Sequence, residues 1–126
     1  MEKDSALRLI EFIRNSLGSI WALRLLMVMH ASPLRLWSEG ELVGELRAST
    51  AVVRGVLGRF EAEGLIARKE GDRYKFQPES SSLDRLCDAL AEAYRRRPHT
   101  VMQAITARDD QVEALAAAFR LHDESG

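Results

Sequence analysis

The residues of this 126-residue chain best equipped for chemistry are cations, and they gather between positions 47 and 75. Arg47, Arg54 and Arg59 are followed by Arg68, Lys69, Arg73 and Lys75, with the hydroxyl of Thr50 and the small side chain of Ala51 among them. A guanidinium presents its N–H donors as a planar fork. It can therefore grip two acceptors at once, on a carboxylate, on a phosphate or on the edge of a guanine. Other chemistries lack their partners. His30, His99 and His122 are widely separated, with no Cys, Asp or Glu at metal-ligand spacing, so neither a metal nor another cofactor is expected. Ser80-Ser81-Ser82 has no base or oxyanion motif beside it and reads as linker plus helix cap. There is no glycine-rich phosphate loop, and the expectation is a protein that is not an enzyme. The single cysteine, Cys87, excludes an internal disulfide and suits a reducing interior.

The elements that must position these cations follow from apolar spacing. Ala6, Leu9, Ile10, Ile13 and Leu17 predict an amphipathic helix over residues 5–17, which Gly18-Ser19 interrupts. From Ile20 to Met29 every residue but Arg24 is apolar, as in a helix packed on more than one side, and Ala31-Ser32-Pro33 closes it. Ser38-Glu39-Gly40-Glu41 has capping-box spacing and starts a short helix to about Leu46, burying Leu42, Val43 and Leu46. After the break Arg47-Ala48-Ser49, either Ser49 or Thr50 can cap a helix in which Val53, Val56, Leu57 and Phe60 share a face. Gly64 stops it. Residues 65–77 then alternate apolar and charged side chains around Glu70-Gly71-Asp72, which predicts a two-stranded hairpin ended by Pro78.

Beyond the linker-like Glu79-Ser80-Ser81-Ser82, a stripe of Leu83, Leu86, Cys87, Leu90, Ala91 and Tyr94 marks another helix, with Ser81 and Asp84 at capping-box spacing. On that stripe a buried, unreactive Cys87 thiol is expected. Arg95-Arg96-Arg97 reads as its solvated end. Pro98 opens a segment carrying Val101, Met102 and Ile105, and a last helix begins at Asp109-Asp110 and runs through Val112, Leu115, Ala116 and Phe119 towards a frayed Asp123-Glu124-Ser125-Gly126.

A helix, a short helix, a tight turn, a helix and a hairpin, in that order, make the winged helix-turn-helix arrangement. The expected fold class is mainly α with a small two-stranded β-hairpin, a winged helix-turn-helix with flanking N- and C-terminal helices. The segment Ser49 to Phe76, with Val53, Val56-Leu57, Arg59-Phe60-Glu61, Glu63-Gly64-Leu65-Ile66 and Arg68, resembles the recognition helix and wing of bacterial winged-helix regulators of the MarR and PadR type. Phe60 stands where that family usually has Leu. The resemblance implies that Ala51, Val52, Arg54, Gly55, Gly58 and Arg59 face outward. On that reading Arg54 contacts a base and Arg59 a phosphate. Thr50 adds a hydroxyl contact, Arg47 in the turn reaches a phosphate, and Lys69, Arg73 and Lys75 charge the wing.

The whole chain has a formal net charge of -1, and the acids and bases between Trp37 and Gln77 are equal in number. Any nucleic-acid affinity must therefore come from a local patch, with acids kept on the far side. The expected organisation is an N-terminal helix over 1–18, a winged-helix domain over 19–78 and a C-terminal helical extension over 79–126. The flanking helices have more apolar stripe than a small domain covers, so they either form a homodimer interface or fold back on their own domain. Trp21, Trp37 and Tyr94 either line a small-molecule effector pocket or pack in the core. The most apolar stretch is too short to cross a bilayer, and the N-terminus has no signal-peptide pattern, so a cytoplasmic protein with no membrane partner is expected. The expected function is sequence-specific binding of double-stranded DNA as a transcriptional regulator. The alternative is a winged-helix adaptor that binds a regulatory protein.

Overall fold

The computed structural model describes the backbone of residues 3–125 and the side chains of residues 5–120. His122 and the charged residues at both chain ends lie outside the described side chains. The fold is mainly helical with one small antiparallel sheet: α1 (Lys3–Phe12), a π turn (Ile13–Leu17), α2 (Ile20–Ala31), α3 (Glu39–Leu46), α4 (Thr50–Ala62), β1 (Ile66–Lys69), β2 (Arg73–Phe76), α5 (Ser81–Arg96), α6 (Pro98–Ile105), a 3-10 turn (Asp109–Gln111) and α7 (Val112–Ser125). These elements form two compact units. One is Trp21–Arg85, and the other joins the residues up to Ile20 with those from Leu86 onward.

In the unit Trp21–Arg85, α2 buries Ala22, Leu23, Leu25, Leu26 and Met29, a spread too wide for a single stripe. Ser38 caps α3 reciprocally, its Oγ accepting from Glu41 N at 3.1 Å while its own N–H donates to Glu41 Oε1 at 2.8 Å. The capping box read from the spacing is present. Leu42 and Leu46 are buried and Val43 is half-buried. Arg47 ends α3 in the left-handed conformation, φ 55 and ψ 41. Of the two candidate caps for α4, Ser49 serves, with Val52 N donating to its Oγ at 3.1 Å. A Schellman motif ends α4: Leu65 N donates to Phe60 O at 3.0 Å and Gly64 N to Glu61 O at 3.2 Å, with Gly64 at φ 75. Phe60 and Leu65, the two positions where this motif usually carries apolar side chains, are both fully buried. A buried phenylalanine of this kind costs about 3–5 kcal/mol when truncated to alanine.

β1 and β2 pair in the register Ile66↔Phe76, Ala67↔Lys75, Arg68↔Tyr74 and Lys69↔Arg73. The expected alternation holds in β2, with Tyr74 and Phe76 buried, whereas in β1 only Ile66 is buried and Ala67 falls on the outer face. A further pairing lies outside the two strands. Trp37 adds itself to the free side of β2, its N–H donating to Tyr74 O at 2.8 Å and its carbonyl accepting the return bond from Tyr74 N at 2.7 Å. The hairpin is thereby tied to the loop before α3. His30 packs edge-on against Phe76, with ring centroids 5.3 Å apart, so this histidine is a packing group.

The second unit is all helical. Ala6, Leu9, Ile10, Ile13 and Leu17 are fully buried, and α1 packs on α7 while the π turn packs on α6. Each leucine and isoleucine among them contributes about 1.5–3 kcal/mol of burial. Of the apolar stripes offered above for a dimer, that of α1 is therefore covered within the chain. The single helix expected over 5–17 also needs correction: from Ile13 the winding widens to a π turn, closed by Gly18 N donating to Ile13 O at 3.0 Å, with Gly18 at φ 71. Phe12, Ile13 and Leu17 are all buried around this turn. A second correction concerns α5. Its cap is Ser80, whose Oγ accepts from Leu83 N at 3.1 Å, so the Ser81–Asp84 capping box does not form. In α6, Thr100, Val101 and Ala104 are buried, whereas Met102 is exposed. Arg14 Nη2 donates to Asp109 Oδ1 at 2.7 Å, linking the π turn to the 3-10 turn.

Candidate nucleic-acid interface

Burial of Val53, Leu57 and Phe60, with Val56 half-buried, leaves Ala51, Val52, Arg54, Gly55, Gly58 and Arg59 exposed on α4. This is the outward face that periodicity requires. Thr50, the first residue of α4, is exposed, and so is Arg47 in the turn before it.

The register of the hairpin sorts its side chains in the same way. Ile66, Arg68, Tyr74 and Phe76 share one face, and Ala67, Lys69, Arg73 and Lys75 share the other. Lys69 and Arg73 are exposed and Lys75 is half-buried. Trp37 opposes Tyr74, so Leu36 falls opposite Lys75 on the outer face. Leu34 is 83% exposed and Leu36 40%, and the two line a shallow recess with Lys69, Glu70 and Lys75.

Arg54 is held more tightly than its exposure suggests. Its Nε donates to Glu39 Oε2 at 3.0 Å and its Nη2 to Glu39 Oε1 at 2.9 Å, a parallel fork between the first turn of α3 and the outer face of α4. This hydrogen bond is the main reason that the Glu39 carboxyl sits below the usual glutamate range and that the Arg54 guanidinium holds its proton more firmly than usual. Glu39, Arg54, Arg68, Asp72 and Tyr74 together line a second surface recess, which brings α4 and the hairpin side by side. Arg68, absent from the expected site, lies over the Tyr74 ring at 5.2 Å and pairs with Glu61 at 3.3 Å and Asp72 at 3.6 Å. Arg59 reaches Glu63 at 3.9 Å.

Pairing resolves the apparent neutrality of the Trp37–Gln77 stretch. Glu39, Glu61, Glu63 and Asp72 are matched by Arg54, Arg59 and Arg68, and Glu41 is matched by Arg35 from outside the stretch at 3.2 Å. Among the described residues, Arg47, Lys69, Arg73 and Lys75 have no ion pair, against Glu45 and Glu70 on the acidic side. An unmatched surplus of positive charge therefore lies in the α3–α4 turn and on the outer face of the hairpin.

The remaining candidates have structural explanations. Trp37 is buried, with the Arg35 guanidinium 3.6 Å from its ring centroid. Cys87 is buried on its helix. Glu92 pairs with Arg95 at 2.6 Å and with Arg96 at 2.7 Å at the exposed end of the helix, whereas Arg97 is half-buried and not part of a solvated end. Among the described residues no helix is long and apolar enough to cross a membrane. Compared with protein-family models, with curated proteins and with solved structures, the chain has no match in any of the three.

Proposed function

We propose that residues 19–78 form a winged helix-turn-helix that binds double-stranded DNA, and that the chain is a cytoplasmic transcriptional regulator akin to the MarR and PadR type. The observation that carries this reading is the distribution of charge: cations without acidic partners stand in the α3–α4 turn and on the outer hairpin face, flanking the exposed face of α4. In such a fold α4 is the helix that enters the major groove, and the hairpin is the wing that lies along the neighbouring backbone. Arg54 faces base edges, and Thr50 and Ala51 lie at the start of the groove-facing helix. Arg47, Arg59, Lys69, Arg73 and Lys75 contact phosphates. Two copies would place two α4 helices on a near-palindromic site. Since α1 is covered, the dimer surface falls to the half-buried Leu83, Leu86 and Tyr94 of α5.

The test is retention of genomic DNA fragments by the protein at low and near-physiological salt, followed by sequencing. Enrichment of a few near-palindromic sites, with affinity falling steeply as salt rises, supports the reading. Absent or uniform retention overturns it.

One observation favours a second reading. Leu34 and Leu36 are exposed beside Lys69 and Lys75, an amphiphilic patch suited to a protein partner. An adaptor that docks a regulatory protein there would bind it with little dependence on salt.

A further inference from the structure

Glu39 decides which part of Arg54 is available to a ligand. The fork uses the side edge of the guanidinium, formed by Nε–H and one Nη2–H. The end edge, formed by the hydrogens of Nη1 and the second hydrogen of Nη2, is not engaged by that fork, and the Arg54 side chain is 71% exposed. An end edge of this kind spans the O6 and N7 acceptors of guanine in the major groove. Glu39 is itself only 28% exposed at the start of α3, and both of its carboxylate oxygens accept from the arginine.

The same carboxylate changes what Arg54 can bind well. A clamped arginine has its charge balanced at contact distance, and an approaching phosphate would meet the Glu39 carboxylate as well as the guanidinium. A guanine edge is neutral and meets no such repulsion. Arg47, Lys69, Arg73 and Lys75 have no such partner among the described residues and remain suited to phosphate.

We propose that Glu39 is a specificity-determining positioning residue, which fixes the Arg54 fork so that it reads guanine through the major groove and not the phosphate backbone. The inference rests on the DNA-binding reading above. It divides the interface into one clamped arginine that selects a base and several unclamped cations that supply affinity. Removing the clamp lets Arg54 swing to phosphate, which raises affinity for any duplex and blurs sequence preference.

The experiment selects duplexes from a randomised library with the full-length wild type, Glu39→Gln, Glu39→Ala and Arg54→Ala, each first shown by thermal unfolding to be folded. Affinities are then measured across a salt series, including duplexes with 7-deazaguanine at the selected guanine. Wild type is expected to prefer guanine at one position of each half-site by roughly tenfold to a hundredfold and to lose that preference with 7-deazaguanine. Arg54→Ala should lose it with an unchanged salt slope. Both Glu39 variants should lose it while the slope of log affinity against log salt steepens by about 0.9, as neutralising one more phosphate requires. If wild type selects no sequence, both this proposal and the DNA-binding reading fall. If wild type selects a sequence that the Glu39 variants select equally well, or if Arg54→Ala makes the salt slope shallower, only the role of Glu39 falls.

Discussion

Lys69 and Arg73 face each other as direct cross-strand partners, the last residue of β1 opposite the first of β2. Like charges in that relation repel, and an opposite pair there is worth a few tenths to about 1 kcal/mol over a neutral one. Lys69→Glu should therefore raise the urea midpoint slightly. It should also weaken DNA binding and make the salt slope shallower by about 0.9, because one phosphate fewer is neutralised. Unfolding in urea and binding at two salt concentrations check the two halves, and a variant that binds as wild type would remove Lys69 from the interface.

Gly55 and Gly58 lie on the exposed face of α4 with open space where each Cβ would stand. Glycine inside a helix costs about 1 kcal/mol relative to alanine. Gly55→Ala and Gly58→Ala should each stabilise the protein by about that amount in denaturant unfolding. On the proposed reading the helix backbone approaches the groove at these positions, so DNA affinity should drop as stability rises. Equal binding by the more stable variants would show that α4 does not approach DNA on this side.

Gly64→Ala should be destabilising for two separable reasons. Gly64 adopts φ 75, where an L side chain is strained, and an added Cβ would run into the Glu79 carboxylate. A loss of about 1–3 kcal/mol is expected. The Glu79 carboxylate is the far end of an exposed side chain, so most of this cost should be backbone strain, and in a Glu79→Ala background the same substitution should still cost about 1–2 kcal/mol. A double-mutant cycle by urea unfolding measures the difference, and identical costs in both backgrounds would mean that Glu79 moves aside freely.

Acid should loosen the surface clamps first. Glu39, Glu41 and Glu92 each sit below the usual glutamate range, held chiefly by Arg54, by the Ser38 backbone and by Arg95 respectively. A carboxyl lowered in the folded state binds more protons once unfolded. Its stabilising contribution is therefore complete above the ordinary glutamate range and disappears as pH falls through the lowered value. Stability should be flat near neutrality and decline below about pH 4. The decline should be shallower in Arg54→Ala and in high salt, and an identical acid profile for Arg54→Ala would argue against the clamp in solution.

Local spacing carried much of this fold. The Ser38–Glu41 capping box, the break after Leu46, the buried stripe of α4, its stop at Gly64 and the hairpin register all arise from neighbours in the chain. The elements that escaped the sequence depend on partners far along it. The Trp37–Tyr74 pairing joins a loop to a strand with no regular pattern before it, and the Glu39–Arg54 fork spans residues fifteen apart with a turn between. Identifying Arg54 as outward was within reach of periodicity, whereas identifying what it holds was not. The Ser80 cap missed by one residue because three serines in a row offer equivalent hydroxyls. The π turn after Phe12 was hidden for another reason: an α helix also places Ile13 and Leu17 on a shared stripe.

The helical unit that joins α1 to α7 is discontinuous, its halves separated by the whole of Trp21–Arg85. The Arg14–Asp109 bond bridges 95 positions. During synthesis the whole of the intervening unit is made before α7, the partner that covers the α1 stripe. Loop-closure entropy grows only logarithmically, about 0.6 kcal/mol for each doubling of length, so this separation is tolerable once both halves exist. Until then the α1 stripe is exposed apolar surface, which favours aggregation for as long as the interval lasts.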